Sequence, residues 1–168
     1  AAFCRAEQVL GEGVETARAV VDHAIETLHD DGSFRDGPAT GAGLVDRPLR
    51  PIDDNVDLAE ACLDLAALTG EETYRAVARD TVAAFAGATE RIGIQVAGYG
   101  AVAARLCRPD LVVEVPRGSD LHRAAHRIAD HEKVVVPGSG DAATVRVGDD
   151  RRTATTPEEL MDAVSALQ

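Results

Sequence analysis

The residues best placed for chemistry are Asp53, Asp54 and Asn55, which follow Pro51-Ile52 at the end of a long Gly- and Pro-rich stretch. Two adjacent carboxylates at the mouth of an apolar helix have the parts of a general acid and base, or of a site that grips sugar hydroxyls. The same residues suit a simpler role, in which Asp53 or Asp54 caps the helix and the other acid sits at the positive end of its dipole. A second group is His122 and His126, four apart, with His131 and Glu132 just beyond. Histidines at that spacing on one helix face a common point, where a metal would need a third ligand; without one they belong to a solvated helix surface. Gly138-Ser139-Gly140-Asp141 has the outline of a phosphate loop. It lacks the Lys-Ser/Thr of a nucleotide-binding motif and leads toward a strand, so it reads as a turn. Cys4, Cys62 and Cys107 are odd in number, widely spaced and joined by no metal-binding pattern. Cys62 and Cys107 sit among apolar residues and read as small core side chains.

These residues must be held by the elements around them. Val14, Ala17, Val21, Ala24 and Leu28 recur at steps of three and four, the buried stripe of a helix that stops at Asp30-Asp31-Gly32. Residues 32–52 form a long loop anchored by Phe34, Leu44 and Leu49. A helix from near Asp54 is apolar on all but a narrow stripe of Asp57, Glu60 and Asp64. After the turn at Thr69-Gly70-Glu71-Glu72 comes an amphipathic helix with Tyr74, Val77, Ala78, Val82 and Phe85 inward, and then a fourth, apolar helix from about Gly93 to Cys107. Buried helices thus alternate with amphipathic ones, as in an array of inner and outer helices. Beyond Pro109 the pattern changes. Strands are expected at Leu111–Val115, Lys133–Val136 and Ala143–Val147, with a helix from Ser119 or Asp120 to about Ala129. A last helix opens at Thr156-Pro157-Glu158-Glu159. The sequence therefore divides into a helical region, 1-109, and a small β-α-β-β-α unit, 110-168.

Composition bounds the setting. Of 168 residues, 45% are apolar, so a core is within reach; aromatics are 3% and Trp is absent, so that core is built from Ala, Val and Leu. The net charge is −12, and Lys133 is the lone lysine against sixteen arginines. Acid-rich, lysine-poor chains of this kind suit a salt-rich cytoplasm, where the Debye length falls to about 3 Å at molar salt and surface self-repulsion is weak. The acidity argues against binding DNA or RNA through phosphates and against an anionic membrane surface. No apolar run of about 18 residues is present for a membrane span. A cytoplasmic chain without a cofactor is the expectation.

The succession Asp31-Gly32-Ser33-Phe34-Arg35-Asp36, Leu44-Val45-Asp46-Arg47-Pro48, Pro51-Ile52-Asp53-Asp54-Asn55, Leu63-Asp64-Leu65, Leu68-Thr69-Gly70 and Tyr74-Arg75, then Phe85, then a strand after Arg108-Pro109, resembles a family. It is similar to the C-terminal end of thioredoxin-domain proteins of the spermatogenesis-associated protein 20 type, the DUF255 or YyaL-like family. The resemblance implies a mainly α fold, with helical hairpins of an (α/α) toroid like that of N-acylglucosamine 2-epimerases and six-hairpin glycosidases, followed by the small β-α-β-β-α unit. It also implies a cavity lined by Asp53, Asp54 and Asn55, with Asp36, Arg47 and Arg50 on the preceding loop and Gln95 and Tyr99 on the next buried helix. The ligand would be carbohydrate-like, and the rest of a parent chain or another copy would complete the helical array. The family's thioredoxin-like domain has no counterpart in these residues, so no redox role is carried over. Two other readings stand beside this one: a non-catalytic structural or interaction module, and a metal-binding module using His122 and His126.

Overall fold

The computed structural model of the chain describes residues 1–37, 48–88 and 97–168. The elements run α1 (Ala2–Leu10), α2 (Val14–Leu28), β1 (His29–Asp30), β2 (Ser33–Phe34), α3 (Ile52–Thr69), α4 (Glu72–Ala84), a short 3-10 turn (Ala86–Ala88) and α5 (Ala97–Leu106). There follow β3 (Leu111–Pro116), α6 (Asp120–Ala125), β4 (Val134–Gly138), β5 (Ala143–Val147), β6 (Asp150–Ala154) and α7 (Pro157–Ser165). They gather into two compact units. One holds Glu15–Cys107 together with Ala1, and the other joins Ala2–Val14 to Arg108–Gln168. Residues 2–14, grouped by sequence with the helical region 1-109, thus fall with the α/β residues.

In the first unit, α2 buries Ala17, Val21 and Ala24, the stripe that its periodicity marks out. Asp31 and Gly32 then both adopt positive φ, 49° and 76°. Where the sequence suggested only a helix stop, these two residues make the tight turn of a two-residue hairpin, with Asp30 paired to Ser33 and His29 to Phe34. α3 ends on Gly70, whose φ of 77° places it in the left-handed region and lets its N–H close on Ala66 O at 2.8 Å. α3 packs against α4, α5 and β2. Asp64, read as part of a narrow polar stripe, is buried, and its Oδ1 meets Arg105 Nη1 of α5 at 2.7 Å. Both side chains are less than one-tenth exposed, so removing either partner would strand a buried charge at a cost of about 3–5 kcal/mol.

That packing overturns the expected mainly α toroid. A toroid needs its buried helices to share a central axis and leave one face toward a common cavity. Here α3 is covered by α4, α5 and the hairpin, and Asp64 on its polar stripe is paired with the buried Arg105. Strand content also exceeds expectation, because β1, β2 and β6 add to the three strands read from sequence. The chain is α+β, with a helical unit and a mixed sheet.

The second unit carries that sheet, in the order β4-β3-β5-β6. β3 and β4 are parallel, with Val113 opposite Val135; β5 runs antiparallel to both β3 and β6. Val113, Val115, Val135, Ala143, Val145 and Ala154 of the sheet pack with Leu121, Ala125 and Ile128 of the crossover and with Leu160, Ala163 and Val164 of α7. α7 starts as its sequence dictates. Thr156 Oγ1 accepts from Glu159 N at 3.2 Å, and Glu159 Oε2 reaches back to Thr155 N at 2.7 Å. Gly148 has φ of 58° and opens the two-residue turn into β6. α1 packs against β4 with Cys4 buried. Among the described residues, no helix is long and apolar enough to cross a membrane.

Candidate functional site

α3 begins on Pro51, an N-cap with extended backbone and no side-chain cap bond. Asp53 and Asp54 therefore lie inside the first turn rather than at the cap. Both are exposed, with their charges at the positive end of the helix dipole. The next residue turns inward: Asn55 is 1% exposed. Its side chain does for β2 what a neighbouring strand would do. Oδ1 accepts from Phe34 N–H at 2.6 Å, while Nδ2 donates to Phe34 O at 2.9 Å and to Pro51 O at 2.8 Å. Both amide hydrogens are in use, and one oxygen lone pair, closed off from solvent, is all that remains for a ligand.

The other residues of the cluster are engaged in the same way. Arg50 Nη1 donates to Asp30 O and to Ser33 Oγ, and Nη2 reaches Asp30 Oδ2 at 3.2 Å, so the guanidinium grips the hairpin from the side. Asp36 and Leu49 close the two ends of the long loop on each other. Asp36 N donates to Leu49 O at 2.9 Å, and Asp36 Oδ1 accepts from Leu49 N at 2.9 Å. Tyr99 donates its hydroxyl to Val82 O of α4 at 2.9 Å. Arg47 and Gln95 lie outside the described residues. The structure thus brings Asp36, Arg50 and Asn55 together around the hairpin and its loop, leaves Asp53 and Asp54 on the surface, and ties Tyr99 to α4.

Tyr74 is a further polar contact within this unit. Its hydroxyl donates to Asp22 Oδ1 at 2.8 Å, and burial, followed by that hydrogen bond, pushes the phenol up to about 12. Beside it, the hydrogen bond from Arg18 to Glu71 raises the guanidinium above its ordinary value. Together these bonds link α2 to the start of α4. Of the cysteines, Cys4 and Cys62 are buried, whereas Cys107, expected in the core, is exposed.

In the second unit His122 and His126 do converge, as their spacing implies. Their Nε2 atoms are 3.2 Å apart and both face Gln8 O, at 2.7 Å and 3.0 Å. Gln8 lies in the last turn of α1, where carbonyls lack helical partners. The surroundings of His122 decide its chemistry. Gly118 N–H donates to His122 Nδ1 at 3.0 Å, so that nitrogen carries the lone pair and the proton sits on Nε2, aimed at Gln8 O. A metal on Nε2 would need the proton moved to Nδ1, where it would collide with the Gly118 N–H. The pair is therefore a carbonyl clamp. His131 is exposed, and among the described residues no three His, Cys, Asp or Glu side chains gather as metal ligands. Burial lowers the His126 imidazole below its ordinary value, with the Gln8 carbonyl opposing the shift.

The chain matches no protein-family model, no curated protein and no solved structure. The roles of its residues rest on the geometry. Two features escaped the sequence reading. Gln8 joins α1 to the sheet, since its Oε1 also accepts from Val135 N of β4 at 3.0 Å. β6 with Arg151, Arg152 and Thr153 forms the far edge of the sheet. Gly148-Asp149 between two five-residue runs is the hairpin signal that would have located β6. No local signal marks Gln8.

Two predictions follow from these bonds. Asn55→Ala leaves Phe34 N–H and O unpaired in the interior and should destabilise the first unit by about 3 kcal/mol; Asp53→Ala should cost less than about 1 kcal/mol. Both tyrosines lie in that unit and Trp is absent, so urea unfolding followed by tyrosine emission reads it alone. For the second unit, the folded state takes up the His126 proton later than the unfolded state does. Stability is thus present above the ordinary value of about 6.5 and is lost as pH falls through the lower folded value. Amide protection of α1 should drop over that range, and the drop should shrink in His126→Gln, which keeps a donor without the titration.

Proposed function

We propose that the chain is a non-catalytic interaction module. The observation that carries this reading is the engagement of Asn55. The best-placed polar side chain of the cluster has both its amide hydrogens and its oxygen committed to Phe34 and Pro51. Arg50 and Asp36 are likewise bound to backbone groups of the hairpin and its loop. A catalytic or sugar-binding set needs free donors and acceptors converging on one point. Of the expected set, the described side chains that remain uncommitted are Asp53 and Asp54, two solvated carboxylates on a first helical turn. In an acidic chain of net charge −12 such groups serve solvation and the helix dipole.

The histidines support the same reading. They hold Gln8 and so keep α1 against the edge of the sheet. What is left for function is surface. The module belongs with a cytoplasmic, salt-adapted setting, where screening allows acidic surfaces to approach one another.

Thermal unfolding in the presence of a library of neutral and N-acylated sugars tests the reading. The melting temperature should stay the same with each sugar, for the native chain and for the Asp53→Asn/Asp54→Asn variant alike. A saturable rise with one sugar that disappears in the double variant would contradict it.

A further inference from the structure

The two edges of the four-stranded sheet are treated differently. On the β4 side, Gln8 Oε1 takes up the Val135 N–H and α1 packs along the strand. On the β6 side, the strand packs with β5 and α7, and Asp150, Arg151, Arg152 and Thr153 are all exposed. Strand pairing shows what this edge offers. A two-residue turn joins Val147 to Asp150, and in such hairpins the closing pair exchanges its hydrogen bonds. Alternation then turns the N–H and C=O of Arg151 and Thr153 outward, away from β5. An exposed edge of this kind is a template for another strand.

Charge selects which strand. The groove beside β6 is lined by Arg151, Arg152 and Thr153 from the strand and by Glu159, Asp162 and Ala166 from α7. Among the described residues Arg151 and Arg152 make no ion pair. An acidic peptide would meet Glu159 and Asp162, and a basic one would meet the two arginines. A patch that carries both signs is complementary to its own image about a two-fold axis.

We propose, on the reading of the chain as an interaction module, that its partner is a second copy of itself, joined antiparallel through β6. The register that fits places Thr153 opposite Thr153 of the second copy, a favourable cross-strand pair, with Arg152 opposite Ala154; Arg151 falls opposite Thr155, whose N–H stays with Glu159, so the paired stretch ends there. It keeps the arginines of the two copies from facing each other. It also directs Arg152 toward the α7 side of the second copy, where Asp162 lies. Because α1 covers the β4 edge, assembly stops at two copies rather than growing into a fibre, and the two sheets become one of eight strands. The net charge of −12 on each copy opposes association at low salt, so dimerisation strengthens as salt is added.

Sedimentation velocity across protein concentration tests this. The native chain in molar salt should move from 17.6 kDa toward twice that mass. Thr153→Pro removes only an outward N–H and so leaves the β5 pairing intact; it should stay at monomer mass with an unchanged melting curve. Arg152→Asp and Asp162→Arg should each weaken association at least about tenfold, and the two together should restore most of it. A native chain that stays at monomer mass at every concentration and salt overturns the inference, including the case in which the edge accepts a foreign strand. So does a folded Thr153→Pro protein that dimerises as well as the native chain. Neither result bears on the absence of a sugar response, so the module reading stands or falls separately.

Discussion

A buried primary amide with three partners constrains everything near it, and Asn55 is such a group. Its position on the first turn of α3 fixes β2 against that helix, because the Oδ1 and Nδ2 contacts to Phe34 require one orientation and one distance. Phe34, 1% exposed, is thereby held in the core, and its ring meets that of His29 edge-on at a centroid distance of 4.8 Å. Arg50 then grips the other side of the hairpin, and the Asp36–Leu49 pair closes the loop between. The burial of Asn55 is thus the condition under which the long connection from α2 to α3 has a defined start and finish.

The second unit rests on a comparable device at its opposite end in sequence. Gln8 uses its side chain for the β4 edge and its main chain for the two imidazoles. A polar side chain, rather than an apolar stripe, thus joins the first thirteen or so residues to a sheet whose first strand begins a hundred residues later. In both units the polar groups that might have served chemistry complete the backbone hydrogen bonding of a neighbouring element. That engagement is what supports the proposed interaction role.

The helices with clear periodicity were legible in the sequence: the stripe of α2 and the cap of α7 stand where their residues place them. The path of the helices through space was not. α3 is apolar on most sides, which suits an inner toroid helix and a helix wedged between two neighbours equally well, and the Asp64–Arg105 pair that decides between them joins residues 41 apart. α1 was missed because its pattern points outward: Phe3, Val9 and Leu10 are exposed, while Cys4 is buried and Gln8 bonds to β4. In the candidate site, the types and spacing of Asp53, Asp54 and Asn55 drew attention to the start of α3, where Asp53 and Asp54 are exposed and Asn55 is buried against the hairpin. Their chemistry was hidden because a side-chain amide that replaces a strand has the same sequence signature as one that binds a ligand. The tautomer of His122 was likewise out of reach, since it is set by the Gly118 N–H in the folded turn.

Amide hydrogen exchange at Phe34 reads whether Asn55 holds the hairpin. If Asn55 is a structural clamp, the Phe34 N–H should be protected as strongly as core amides of α3 such as that of Leu63, exchanging only when the first unit unfolds. Exchange of the Phe34 amide through local opening, orders of magnitude faster than Leu63, would contradict the clamp and leave the Asn55 side chain free to receive a ligand.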